Sequence, residues 1–101
     1  MKKYLHFTDG RKLELANIYA IATNYRKHAN EMKSEIPSQP VIFLKPTSAY
    51  ITNGDKILLP QFSENVHYEV ELVVVIGKDG FNISEEEVPN YIAGFAVGID
   101  V

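Results

Sequence analysis

His67-Tyr68-Glu69-Val70-Glu71-Leu72-Val73-Val74-Val75-Ile76-Gly77 is the stretch whose reading decides the fold. It is rich in β-branched residues and is closed by Gly77 and Gly80, so Val66 to Lys78 reads as a strand. Alternate side chains of a strand share a face. Tyr68, Val70, Leu72, Val74 and Ile76 therefore make one uniformly apolar face, expected to be core. His67, Glu69, Glu71, Val73 and Val75 make the other, which begins polar and turns apolar. Glu69 and Glu71 are two residues apart, which separates their Cα atoms by roughly 6.5–7 Å. Two carboxylates at the rim of a covered face repel each other and lose hydration. A hard divalent cation of the Mg²⁺ type relieves both costs. The wet half of an edge strand carries the same pattern, and spacing alone does not separate the two readings. His67 shares this face, where a third ligand and a structural histidine both fit.

Outward from this strand, Tyr91 to Val101 reads as a final strand with small residues and two glycines. Ala96, Gly98 and Asp100 share one of its faces, so Asp100 stands on a face cleared of bulk, where a ligand or metal can approach. A strand-end aspartate making a turn is the competing reading. Upstream, Lys3 to Leu15 reads as a hairpin about Asp9-Gly10, and Asn17 to Thr23 as a buried strand. Asn24 is an N-cap for a short helix from Tyr25 to about Lys33. Ser34 to Pro40 is a loop, and Val41 to Leu44 a short apolar strand ended by Lys45-Pro46. Asn53-Gly54-Asp55 marks a turn, Lys56 to Leu59 another strand, and Ser84-Glu85-Glu86-Glu87 a capping box opening a helix kept short by Pro89. The fold class is α+β, mostly β.

On the helix expected at Tyr25 to Lys33, His28 and Glu31 fall at i and i+3 and are neighbours. A carboxylate beside imidazole orients the ring and raises its basicity, which is how a general base for water is assembled. An exposed pair on a solvated helix is the plainer alternative. Lys45 follows a buried strand and could meet an anionic substrate, although a strand-end lysine reaching solvent accounts for it as well.

Composition bounds what is left. The chain has 101 residues, 46% hydrophobic and 23% charged, with a formal net charge of -3. That is an ordinary globular composition without the basic footprint of a nucleic-acid binder. Cysteine is absent, which removes disulfides, zinc–thiolate sites and thiol nucleophiles. Leu72 to Ile76 is the longest apolar run and is far too short to span a bilayer. Lys2 and Lys3 have no apolar stretch behind them, so a signal peptide is not expected and a cytoplasmic location is.

Four separated pieces, in this order, resemble the fumarylacetoacetate hydrolase family. They are Asn24-Tyr25-x-x-His28-Ala29-x-Glu31, Pro40-Val41-Ile42-Phe43-Leu44-Lys45-Pro46, His67-Tyr68-Glu69-Val70-Glu71-Leu72 running into Val75-Ile76-Gly77-Lys78, and Tyr91-x-x-Gly94-x-x-x-Gly98-x-Asp100-Val101. The likeness covers about residues 17 to 101. It implies a mixed β-sheet roll, with residues 1–16 as an N-terminal hairpin and 17–101 as the N-terminal portion of a catalytic domain. The family places Mg²⁺ or Mn²⁺ on residues matching Glu69, Glu71 and Asp100. Its histidine and glutamate matching His28 and Glu31 activate a water.

The implied activity is divalent-metal-dependent hydrolysis of a C–C bond in 2,4-dioxo acids (acylpyruvates), releasing pyruvate. The implied partners are a small 2-oxo acid and a second copy in a homodimer, with no nucleic acid or membrane. The same electron sink serves oxaloacetate decarboxylation or enol–keto isomerisation, which need no hydrolytic water, and a dienoate isomerase or hydratase on the same metal site is a further alternative. A catalytically inactive half-domain is a further alternative from a different class. Two departures stand out. Ala22-Thr23 occupies the place where the family commonly has Gly-Arg, which bears on a substrate-shaping contact. The family chain also continues beyond its Asp-Val into a Thr-Ala-Arg-Asp stretch and a later lysine, so the resemblance implies further substrate-binding residues beyond Val101.

Overall fold

The computed structural model describes residues 2–22 and 40–101. Six strands account for most of the ordered structure: β1 (Tyr4–His6), β2 (Lys12–Glu14), β3 (Ile18–Ala22), β4 (Val41–Lys45), β5 (Glu69–Ile76) and β6 (Ile92–Asp100). They pair as three two-stranded sheets, β1 with β2, β3 with β4 and β5 with β6. Two 3-10 turns, Thr47–Ala49 and Val88–Tyr91, are the helical elements among the described residues. The mostly β expectation therefore holds. The described residues fall into two compact units, one within Met1–Leu5 and Glu14–Asp55, the other His6–Leu13 and Lys56–Val101.

In the first unit, β3 and β4 pair antiparallel from Ile18 opposite Lys45 to Ala22 opposite Val41. Pro46, extended at φ -69°, stops β4 and sends the chain into the Thr47–Ala49 turn. Lys3 ties this turn down: its ammonium donates to the carbonyls of Ser48 (3.3 Å) and Tyr50 (2.6 Å). Gly54, at φ +91°, takes the left-handed position of the Asn53-Gly54-Asp55 turn. The Asp55 carboxylate fastens that turn by accepting the Thr52 N–H at 2.9 Å.

The second unit is built on the β5–β6 ladder, which runs from Glu69 opposite Asp100 to Val75 opposite Gly94. There Ala93 is skipped and Ile76 faces Ile92, a β-bulge. The tip of the β1–β2 hairpin meets the bulge, where Arg11 Nη2 donates to Ala93 O at 3.0 Å. The tip itself is held by Asp9, whose carboxylate accepts the Arg11 backbone N–H at 3.0 Å and the Arg11 Nε at 2.7 Å. The Arg11 guanidinium lies 4.5 Å from the Phe7 ring centroid. That ring fills the space over Gly94, where a Cβ would meet Phe7 Cε1 at 2.8 Å. Opposite Gly94, Val75 is 7% exposed, the one buried hydrophobic side chain among the described residues.

Several expectations need correction. The face of Val70, Leu72, Val74 and Ile76 is not core: Leu72 is 63% exposed, and Phe95, Val97 and Ile99 on β6 are open with it. The alternation was read properly, but among the described residues no element covers that face. The capping-box stretch does not start an α-helix. Glu87 N–H bonds to Ser84 O at 3.0 Å and the chain passes straight into the Val88–Tyr91 3-10 turn. Pro89 has no N–H to extend an i→i−4 ladder, which leaves room for turns alone. Lys56 to Leu59 forms no strand, being short, without a pairing partner and stopped by Pro60. β5 begins at Glu69, so His67 precedes the ladder. The helix expected at Tyr25 to Lys33 lies outside the described residues.

Two outcomes follow from the hairpin tip. Gly94→Ala should destabilise the protein by about 1–3 kcal/mol through overpacking against Phe7, measurable by chemical denaturation. The Arg11 backbone N–H and guanidinium hold the Asp9 carboxyl below its ordinary value. A lowered folded-state value means that this contribution is present above the unfolded value and is lost as pH falls through the folded one. An NMR titration of the Arg11 amide shift should therefore show a midpoint below that of an ordinary aspartate, and Asp9→Asn should remove the transition.

Candidate metal centre

The ladder register decides what can meet. Residues directly opposite in an antiparallel pair point to the same face. Glu69 faces Asp100 and Glu71 faces Gly98, so all three acids project from one side of the hairpin. Glu71 and Asp100 are diagonal neighbours, within reach of a long side chain. Each of the three offers a carboxylate oxygen, and these atoms lie within 4.8 Å of one another. Glu69 is exposed, while Glu71 and Asp100 are half-buried. The three residues predicted from separate stretches of sequence are thus brought together by a single strand pairing.

Along the same face the neighbours are small or aliphatic. Gly98 stands opposite Glu71, Ala96 opposite Val73, and Gly94 opposite Val75. From Asp100 to Gly94 this face runs about 20 Å at roughly 3.3 Å per residue. The carboxylates occupy one end, and the Phe7 ring sits over Gly94 at the other.

The donor set can be tested against the ion that the resemblance implies. Every donor is a carboxylate oxygen, the ligand type favoured by Mg²⁺, Mn²⁺ and Ca²⁺ over softer metals. In an octahedral shell with metal–oxygen distances near 2.1 Å, ligand oxygens lie about 3.0–4.2 Å apart. A group spread over 4.8 Å needs only a small inward turn of its side chains to reach that spacing. Three negative charges this close also favour a cation between them. The residues fit such an ion.

The remaining sequence candidates are placed less fully. His28 and Glu31 lie outside the described residues. Lys45 closes β4 opposite Ile18, with its ammonium 6.0 Å from the Phe43 ring centroid. His67 is not in the carboxylate group. Sequence reading missed the hairpin tip, where Phe7 and Arg11 cap the far end of the acid-bearing face. The available signal was Gly94 in a strand interior, a position that often marks the close approach of another group. No helix among the described residues is long and apolar enough to cross a membrane.

Comparison with known proteins places this chain in a family. The model described as "Fumarylacetoacetate (FAA) hydrolase C-terminal" matches residues 17–101. "Oxaloacetate tautomerase FAHD1, mitochondrial" of Bos taurus is 44% identical over 85 residues, covering 84% of this chain and 38% of the relative. "Uncharacterized protein MJ1656" of Methanocaldococcus jannaschii is 46% identical over 91 residues, covering 90% of this chain and 38% of the relative. "Oxaloacetate tautomerase FAHD2, mitochondrial" of Arabidopsis thaliana is 42% identical over 84 residues, covering 83% of this chain and 38% of the relative. The chain spans less than half the length of these curated relatives. The matched segment contains both acid-bearing strands, and the chain belongs to the fumarylacetoacetate hydrolase family.

Proposed function

We propose that the protein to which this chain belongs is a divalent-cation-dependent enzyme acting on small 2-oxo acids, and that its reaction is the enol–keto interconversion of oxaloacetate. The observation that carries the reading is the convergence of Glu69, Glu71 and Asp100 on one strand face, with ligand atoms within 4.8 Å. The substrate is supported by the names of relatives 42–44% identical to this chain, described as oxaloacetate tautomerases. Glu69, Glu71 and Asp100 would hold Mg²⁺ or Mn²⁺. When bound, such an ion supplies a fixed positive charge opposite the negative charge that builds on the 2-oxo oxygen.

The chain's own residues have three tasks. The carboxylates hold the cation at the end of the hairpin. The low floor of Gly98 and Ala96 leaves their face open to a flat substrate. His28, the base expected from the sequence, moves the proton between C3 and the oxygen of the substrate, so that atoms balance without water. The cytoplasmic location and the homodimer expected from sequence belong to this same proposal.

A second reading is hydrolysis of acylpyruvates, favoured by the His28-x-x-Glu31 pair, which suits activation of water. In that reaction His28 takes a proton from water, the water oxygen adds to the distal carbonyl, the C–C bond breaks, and the carbon of the pyruvate fragment is reprotonated. Assaying oxaloacetate interconversion beside acylpyruvate cleavage separates the two. His28→Ala should cut hydrolysis by about 10²–10⁴-fold, as for loss of a general base. Interconversion should fall over the same range, because His28 moves the proton there too, so the substrate that is turned over decides between the two readings.

Glu71→Gln tests the site common to both readings. Loss of an outer partner of a metal site typically costs ~10–100-fold, so loss of a ligand should lower kcat/KM for either substrate by at least ~100-fold. A fall of only a few-fold would count against the site.

A further inference from the structure

Accessibility changes abruptly along the acid-bearing face. Ala96, opposite Val73, is exposed. One step further along, Gly94 is half-buried and Val75 opposite it is 7% exposed. The Phe7 ring stands at this boundary. A Cβ on Gly94 would meet Phe7 Cε1 at 2.8 Å and Cδ1 at 3.2 Å. Gly94, Ala96, Gly98 and Asp100 alternate along one strand, so the ring lies on the same face as the acids.

The ring is held by the hairpin tip. The Arg11 guanidinium is 4.5 Å from its centroid, and is itself fixed by Asp9 at 2.7 Å and by Ala93 O at 3.0 Å. The Asp9 carboxylate offsets the arginine charge. What closes this end of the face is therefore an apolar wall.

The floor between acids and wall can be measured along β6. Gly98 and Gly94 are four residues apart, about 13 Å at roughly 3.3 Å per residue. A ring in van der Waals contact takes about 3.5–4 Å of that, which leaves roughly 9 Å. A four-carbon acid has three C–C bonds of about 1.5 Å, so with its 2-oxo group at the level of Gly98 it stops short of the ring. The floor beyond it, Ala96 and Val73, is aliphatic and suits an apolar tail. An extended tail advances about 1.3 Å per carbon, so roughly seven carbons beyond the 2-oxo carbon reach Phe7.

We propose that Phe7 is the end wall of the substrate face: the site takes 2-oxo acids carrying an unbranched apolar tail, and Phe7 sets the longest tail that it accepts. The inference rests on the reading of Glu69, Glu71 and Asp100 as cation ligands beside an open floor. It widens the substrate from a four-carbon acid to a class, and makes Phe7 the residue that bounds the class.

The test uses the whole protein to which this chain belongs, in the interconversion or the cleavage assay, whichever it supports. Straight-chain 2-oxo acids of 4 to 12 carbons serve as competitive inhibitors of wild type, Phe7→Ala and Phe7→Leu. Each added methylene should tighten inhibition about twofold, the value of half-burying it, until the tail meets the ring. In wild type the gain should stop near nine carbons. The break should move out by at least two carbons in Phe7→Ala and by at least one in Phe7→Leu, the variant that decides if Phe7→Ala does not fold. Loss of packing lowers the amount of active protein but does not move a break in inhibition constants. A wild-type series without a break, or a break that stays in place in the variants, overturns the proposal and leaves the metal reading standing. A protein that turns over neither oxaloacetate nor acylpyruvates overturns the proposed function and the end wall with it.

Discussion

The pairing of Glu69 with Asp100 across the β5–β6 ladder is the constraint on which the rest depends. A strand register is an all-or-none choice, because a slip of one residue sends every side chain to the other face. In the observed register the acids of β5 and β6 meet on one side, and Val70, Leu72, Val97 and Ile99 meet on the other. A slip would scatter the acids among those apolar residues. The same hydrophobic alternation that specifies the ladder thus also assembles the carboxylates, at the cost of placing three like charges within 4.8 Å. Carboxylates this close repel one another, and a divalent cation of the kind we propose would offset that repulsion.

The opposite end of the hairpin answers to a different requirement. There the bulge at Ala93 breaks the regular register, and Arg11 donates to the Ala93 carbonyl. Phe7 fills the space over Gly94, opposite the buried Val75. One face of one hairpin thus has a packed end and an open, acidic end. The two glycines of β6 illustrate the division: Gly94 makes room for an aromatic ring, and Gly98 makes room for a valine beside the acids. Rigid packing some distance from charged groups is what holds such groups in place against their own repulsion.

Much of this was legible in the sequence. The β-branched run at Val70–Ile76 announced β5, the face shared by Ala96, Gly98 and Asp100 was read from alternation, and β1–β4 fell where turn residues and apolar runs put them. What the sequence could not convey was the register between β5 and β6, since nothing in either strand alone says that Glu69 meets Asp100. The apolar face of β5 was expected to be core, because alternation tells which side chains share a face and not what covers it. Ser84 to Glu87 matched a helix start, yet a proline soon after it allows only turns. The hairpin tip was missed because its contacts with β6, such as Arg11 to Ala93, join residues 82 apart in sequence. Long-range packing of this kind leaves a trace only in the glycine that permits it.

The central claim is that Glu69, Glu71 and Asp100 form one site for a hard divalent cation. The most direct measurement is a Mn²⁺ titration followed by electron paramagnetic resonance of the free ion, with the wild-type protein beside Asp100→Asn. The account predicts one site per chain in the wild type, competed by Mg²⁺ and lost in Asp100→Asn. Wild-type protein that leaves millimolar Mn²⁺ free, or binding that Asp100→Asn does not change, would contradict it.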